Sequence, residues 1–404
     1  MKQKKCGIRL LTATPILIFF VLCAFFIMNW RSESAKGSTT AAQPAQLKSG
    51  PGGSDYRHKD MAIFHFGSND GEYWLFEPSS PKPKSAPVVV FLHGWGGMNP
   101  QIYGAWIRHI VRRGSIVIFP RYQTNLRTKP SLMTPAAISA VKDAFENLKQ
   151  PGHVKPETGH FAVVGHSLGG AIAANIAATA KDEGLPTVRA VMAVESGDSK
   201  NPATERARRL NVESILGDYS TIPPETLLLC VIGNDDRVAG DSGAIAIFTG
   251  ATSVPLKNKA VITINSDNHG TPPLVADHFF PVAPDKSIEV GQKNIRPQTP
   301  IREMIRNRIR ERFKLRRESR EESQTEPMGK VDALDYYGSW RLFDALTDCA
   351  FYKRNCDYAL NDTPKLRFMG RWSDGVPVKE LSVTKNPKPN ANLKTPGIKG
   401  RIRE

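Results

Sequence analysis

Short apolar runs recur along residues 60–265, at Met61–Phe66, Glu72–Phe76, Val88–Leu92, Ile116–Phe119, Phe161–Val164, Ala190–Val194, Leu227–Ile232 and Val261–Ile264. Runs of four to six residues rich in Val, Ile and Phe predict strands, several of them buried on both faces. Stretches with helical spacing separate most of the later runs, near 101–113, 135–149, 168–181 and 241–250. Strands alternating with helices predict an α/β fold with a mostly parallel central sheet and helices on both faces. The first two runs have only the turn-rich Gly67–Gly71 between them, which predicts an antiparallel hairpin at one sheet edge.

The pattern changes outside this region. Residues 10–30 are mostly apolar, with an uninterrupted core from Ile16 to Met28 behind Lys2, Lys4, Lys5 and Arg9. A basic flank before such a stretch predicts a signal anchor or a signal peptide, the anchor being the better reading because Ser32-Glu33-Ser34 is a poor cleavage pattern. The expected organisation is an anchor over 1–31, a flexible Ser/Gly/Pro-rich linker over 32–55, the α/β domain over 56–283, a basic insert over 284–330, a closing helix with a C-terminal extension over 331–384, and a disordered basic tail over 385–404. Within the insert, Ile301, Ile305, Ile309 and Phe313 mark an apolar stripe among arginines, an amphipathic helix.

Charge refines this picture. The net charge of +16 is carried by residues 1–9 (+4), 296–320 (+7) and 379–404 (+5), so the rest of the chain is neutral. A basic balance confined to appendages argues for an anionic membrane surface rather than nucleic acid as its partner, with solvated tails that bind nothing as the other reading. The chain has five cysteines, of which Cys6 and Cys23 belong to the N-terminal segment and Cys230 to an apolar strand. Cys349 and Cys356 remain, and in a compartment outside the cytoplasm a disulfide between them is expected. One continuous helix would hold them too far apart, so the bridge requires the helix to end near Tyr352-Lys353-Arg354-Asn355. No Cys/His cluster has zinc spacing, and no metal or organic cofactor is implied.

The chemistry starts at Gly165-His166-Ser167-Leu168-Gly169-Gly170. A buried strand leads into it and the alanine-rich Ala171–Ala178 follows, so the serine sits on a strand–turn–helix, the setting of a nucleophile elbow. Serine needs a base within hydrogen-bond reach, and the base an orienting acid. After the strand at 227–232 comes Gly233-Asn234-Asp235-Asp236, and after the strand at 261–264 comes Ser266-Asp267-Asn268-His269-Gly270. Parallel sheets collect their active-site loops at such strand ends. Upstream, Val88–Leu92 runs into His93-Gly94-Trp95-Gly96-Gly97, a turn able to turn backbone N–H groups towards an oxyanion.

With these four landmarks in this order, the chain resembles the α/β-hydrolase family over roughly residues 60–280 and again near 331–350, most closely bacterial lipases, cutinases and dienelactone-hydrolase-like esterases. The resemblance implies Ser167 as nucleophile, Asp236 as acid, His269 as general base, and the backbone N–H groups of Trp95 and Leu168 as the oxyanion hole. Asp235 and Glu195 are the alternatives for the acid. His278, beside Phe279 and Phe280, is the alternative base, although its apolar neighbours read as those of a packed or rim histidine. His93 and His166 read as structural hydrogen-bonders. The activity implied is hydrolysis of carboxylic esters on a small-molecule or lipid substrate through an acyl-enzyme. Acyl transfer from the same acyl-enzyme and a non-catalytic membrane-surface binding role are the other readings. The expected location is the membrane, held by the N-terminal segment, with the catalytic domain outside the cytoplasm, or the exterior after cleavage.

Overall fold

The computed structural model describes residues 40–198, 213–288 and 329–387. The expected membrane anchor, the arginine-rich helix of 301–313 and most of the basic tail lie outside the described residues. Among the described residues no helix is long and apolar enough to cross a membrane. The chain divides into two units, Met1–Ala41 and Ala42–Glu404. All of the elements below belong to the second.

A strand forms at each of the eight apolar runs. These are β1 (Asp60–Phe66), β2 (Tyr73–Ser79), β3 (Ser85–Leu92), β4 (Ile116–Pro120), β5 (Lys155–His166), β6 (Val188–Val194), β7 (Leu227–Gly233) and β8 (Lys259–Ile264). A ninth, β9 (Ser382–Thr384), is too short to announce itself in the sequence and pairs antiparallel with β8. The sheet order is β1-β2-β4-β3-β5-β6-β7-β8-β9. The β1–β2 hairpin is antiparallel, as is the β2–β4 pair, and β4 through β8 run parallel. Strand order therefore reverses around β3 and β5, and a crevice opens at their carboxyl ends, where a doubly wound sheet receives its ligands.

The helices are α1 (Gly104–Arg113), α2 (Pro130–Asn147), α3 (Leu168–Thr179), α4 (Ser242–Gly250), α5 (Trp340–Tyr352) and α6 (Pro364–Arg367). Strand side chains alternate between two cores, as a period of two requires. Val88, Val90 and Leu92 of β3 join α2, α3 and α4 in one buried cluster. Phe91 points to the other face, edge-on to Trp106 of α1, which meets Phe343 of α5. The α3 helix is made of small residues and lies buried along nearly its whole length. Alanine and glycine faces let it approach the sheet closely, which places its N-terminus directly over the end of β5.

Residues 42–55 depart from the flexible linker expected of their composition. Ala42 and Ser373 exchange hydrogen bonds of 2.8 and 3.0 Å, Tyr337 donates to the Ala45 carbonyl at 3.1 Å, and Pro51, Gly52 and Gly53 are buried. The Gly52 N–H donates at 2.8 Å to Asp344, a buried α5 carboxylate that also meets His109 at 2.9 Å and Arg113 at 3.0 Å. Burial alone would raise the Asp344 pKa, yet His109, Arg113 and the Gly52 N–H hold it below the usual range. Composition was misleading here because a Gly/Ser/Pro segment becomes ordered once its backbone groups find buried partners.

Helix α5 opens through a wide turn at Leu334–Ser339 and ends at Tyr352. Lys353 and Asn355 both adopt left-handed backbone, with φ of 57° and 55°, and fold the chain back so that Cys356 is joined to Cys349 across a Cα separation of 4.8 Å.

Two outcomes follow from these contacts. Removing residues 1–41 should leave the thermal melt close to that of the full chain, whereas removing 1–55 should lower it by several degrees by stripping the Gly52 N–H from Asp344. Peptide mapping without reductant should recover Cys349 and Cys356 as one linked species. Replacing both by Ser should lower stability by about 2 kcal/mol, the chain-entropy scale for so short a loop.

Candidate active site

Strand β5 ends at His166, and α3 begins at Leu168. Ser167 is the single residue between them, with φ 57° and ψ −124°. A non-glycine residue holds such a backbone only where its surroundings over-determine it. Here the Ser167 N–H donates to the Val194 carbonyl at 2.9 Å, and its carbonyl accepts from Gly170 at 2.9 Å and Gly197 at 3.2 Å. The flanking glycines are steric necessities. A Cβ on Gly165 would lie 2.1 Å from the Gly169 carbonyl oxygen, and one on Gly169 would lie 2.2 Å from the Leu92 carbonyl oxygen. Only bare backbone fits where β3, β5 and α3 converge.

The serine hydroxyl meets a histidine, and the histidine meets an acid. Ser167 Oγ lies 3.0 Å from His278 Nε2, and His278 Nδ1 lies 2.9 Å from Asp236 Oδ2. The His278 and Asp236 side chains are 6% and 1% exposed. Asp236 Oδ1 accepts the Val238 and Ala239 N–H groups at 2.7 and 2.9 Å. Burial would raise the Asp236 pKa, but the hydrogen bond and attraction of the His278 imidazole and the Ala239 N–H hold it far below the usual carboxylate range.

The expectation that His269 would meet Ser167 is not met. His269 is 37% exposed and pairs with Asp374 Oδ2 at 2.7 Å. The reason lies in the path of the chain after β8. Asp267 and Leu274 exchange hydrogen bonds of 2.9 and 2.8 Å, closing a loop that carries His269 at its outer end. Asp267 also accepts from Trp372 at 3.2 Å and from the Lys379 N–H at 2.9 Å, tying this loop to the C-terminal extension. The chain then returns. The Ala276 carbonyl accepts the Asp235 N–H at 3.0 Å, and two residues later His278 is delivered beside Asp236. Phe279 and Phe280 flank it, and apolar neighbours suit a base that must be shielded from water as well as they suit a packed histidine.

Of the other acids, Asp235 is half-buried and lies 3.5 Å from Arg237. Glu195 is fully buried beside Asp236. Among the described residues, Glu195, Asp236 and His278 are the one acid/histidine cluster tight enough to hold a metal ion. Both His278 nitrogens already face hydrogen-bond partners, a geometry that suits proton relay.

The turn after β3 lies against the serine: a Cβ on Gly94 would sit 3.2 Å from Ser167 Cβ. Gly94 donates to Tyr103 Oη at 2.9 Å, Tyr103 meets His166 Nδ1 at 2.9 Å, and His166 Nε2 meets the His278 carbonyl at 2.7 Å. This chain requires the proton of His166 on Nε2 and the Tyr103 hydroxyl as donor to Nδ1. It links the turn, the elbow and the histidine loop. Trp95, in the turn, is 40% exposed, and Leu168, the first residue of α3, is buried.

A family model described as Chlorophyllase matches residues 77–209, from β2 through the elbow to beyond β6. Esterase LipI of Mycobacterium tuberculosis is 35% identical over 120 residues, which cover 29% of this chain and 36% of that protein. The chain thus aligns with about a third of the length of this relative. Among solved structures, a study of two fungal esterases from Rhizomucor miehei gives a chain at TM-score 0.41 and 14% identity, covering 52% of this chain and 76% of that one. A mutant of the esterase rPPE gives 0.40 and 17%, covering 55% and 75%. In its sheet order, its serine between β5 and α3, and the family match running across that junction, the chain is similar to the α/β-hydrolase family.

Proposed function

We propose that this protein is a serine ester hydrolase. The observation that carries the reading is the buried relay Ser167–His278–Asp236 behind a strained elbow. Ser167 Oγ attacks the ester carbonyl while His278 Nε2 takes its proton. Asp236 holds Nδ1–H and stabilises the imidazolium that forms. The oxyanion is assigned to the N–H groups of Leu168 and Trp95; support comes from the start of α3 at Leu168 and from the approach of the Gly94 turn to the serine. His278 then protonates the leaving alcohol, and water, activated by the same histidine, releases the acid from the acyl-enzyme. The matched family and the partial likeness to an esterase support small carboxylic esters as the substrate class. The Cys349–Cys356 disulfide supports a location outside the cytoplasm.

Ser167→Ala should abolish fluorophosphonate labelling and reduce kcat by about 10⁴-fold or more on a p-nitrophenyl ester. His278→Ala should be comparably damaging, with the melt little changed. His269→Ala should keep turnover, because its ring pairs with Asp374. Loss of activity in His269→Ala with retention in His278→Ala would reverse the assignment of the base.

Two further histidines in the site region stay neutral. Burial lowers the pKa of His93 to about 4, and burial together with His278 lowers that of His166 to about 3, both from 6.5. Neither titrates in the working range. The effect appears in stability instead. As pH falls below 6.5 the unfolded chain takes up protons that the folded chain refuses, so stability is lost on acidification and no contribution remains above that value. Chemical denaturation of the wild type and of His93→Asn between pH 7 and about 4 should show the wild type losing up to about 1.4 kcal/mol per pH unit more than the variant.

A further inference from the structure

Glu195 takes no part in the relay as derived, yet it is fully buried against it. It follows the last residue of β6 and has left-handed backbone, φ 48°, with its N–H on the Val231 carbonyl at 2.8 Å. Its Oε1 accepts the Gly233 N–H at 2.5 Å, and a Cβ on Gly233 would come within 2.7 Å of that oxygen, so the carboxyl is wedged against the end of β7. Its other oxygen, Oε2, is buried and meets no donor. The groups facing the carboxyl are Asp236 on the loop after β7 and Asp277 and His278 on the histidine loop.

An ionised Glu195 would place a second negative charge beside Asp236 in a site closed to water, with one lone-pair oxygen unsolvated. Both penalties are large, and both vanish with one proton. A proton on Oε2 turns the orphan acceptor into a donor, and the adjacent acceptor is the Asp236 carboxylate. We propose that Glu195 is a neutral carboxylic acid that donates a hydrogen bond to Asp236, making it a positioning residue for the relay. It fixes the Asp236 carboxylate towards His278 and leaves a single negative charge to face the imidazolium. Burial, the Asp236 hydrogen bond and the negative charge of Asp236 all raise the Glu195 pKa, in keeping with this state.

The inference rests on the Ser167–His278–Asp236 reading and is separable from it: failure of that reading shows as an active His278→Ala, whatever Glu195 does. With the full chain, infrared difference spectra between wild type and Glu195→Gln at neutral pH should contain the C=O stretch of a protonated carboxyl, present in the wild type and lost in the variant. Glu195→Gln keeps an acceptor for Gly233 and a donor for Asp236. It should retain turnover within about fivefold, and the acid-limb pKa of kcat/KM should be unmoved. Glu195→Ala leaves both partners unmatched and should lower kcat about 10- to 100-fold with KM little changed; the glutamine variant is then the rescue. Absence of the infrared band would overturn the proposal. So would an acid limb shifted down by a unit or more in Glu195→Gln, since that is the signature of removing a real negative charge from beside the imidazolium. Activity lost to a chelator and restored by a divalent cation would also overturn it, making the cluster a metal site.

Discussion

The structure depends on one close approach of backbone to backbone, where the end of β5, the end of β3 and the start of α3 meet at Gly165 and Gly169. Side chains are excluded there, so Ser167 is forced into a left-handed conformation between strand and helix. The hydroxyl is thereby lifted out of the sheet plane into the crevice, with the first turn of the helix behind it. Three hydrogen bonds to the Ser167 backbone hold the strain in place. Strand order, helix composition and glycine placement all serve this junction.

Around the elbow, polar groups are buried in a linked arrangement. The Gly94–Tyr103–His166–His278 chain fixes the turn after β3 and the histidine loop to the same residue pair, His166 and Ser167. Asp236 is satisfied by two backbone N–H groups and His278. In a site of low polarity, such satisfied networks specify one geometry, because each missing partner would leave a desolvated group unpaired.

The periphery is built by chain segments distant in sequence. Residues 42–55 reach α5 and the 373 turn, and the extension beyond α5 adds β9 to the sheet and braces the Asp267 loop. That bracing turns His269 outward to Asp374 and leaves His278 to enter the crevice.

Much of this was legible in the chain. Runs of β-branched and aromatic residues at 88–92 and 161–164 mark strands because burial on both faces admits little else, and Gly-x-Ser-x-Gly between a strand and an alanine-rich stretch marks the elbow because only glycine tolerates that approach. Asp236 stands three residues beyond the end of β7, in a loop that the apolar run before it marks as a strand end. His269 against His278 was not. Both follow β8 within fifteen residues, and the choice between them belongs to the Asp267–Leu274 bridge and to Trp372 and Lys379, more than a hundred residues away. The order in residues 42–55 and the position of Glu195 against Asp236 are likewise tertiary. Local sequence determines which backbone shapes are allowed; which buried polar groups meet is decided only when strand ends and distant loops are brought together.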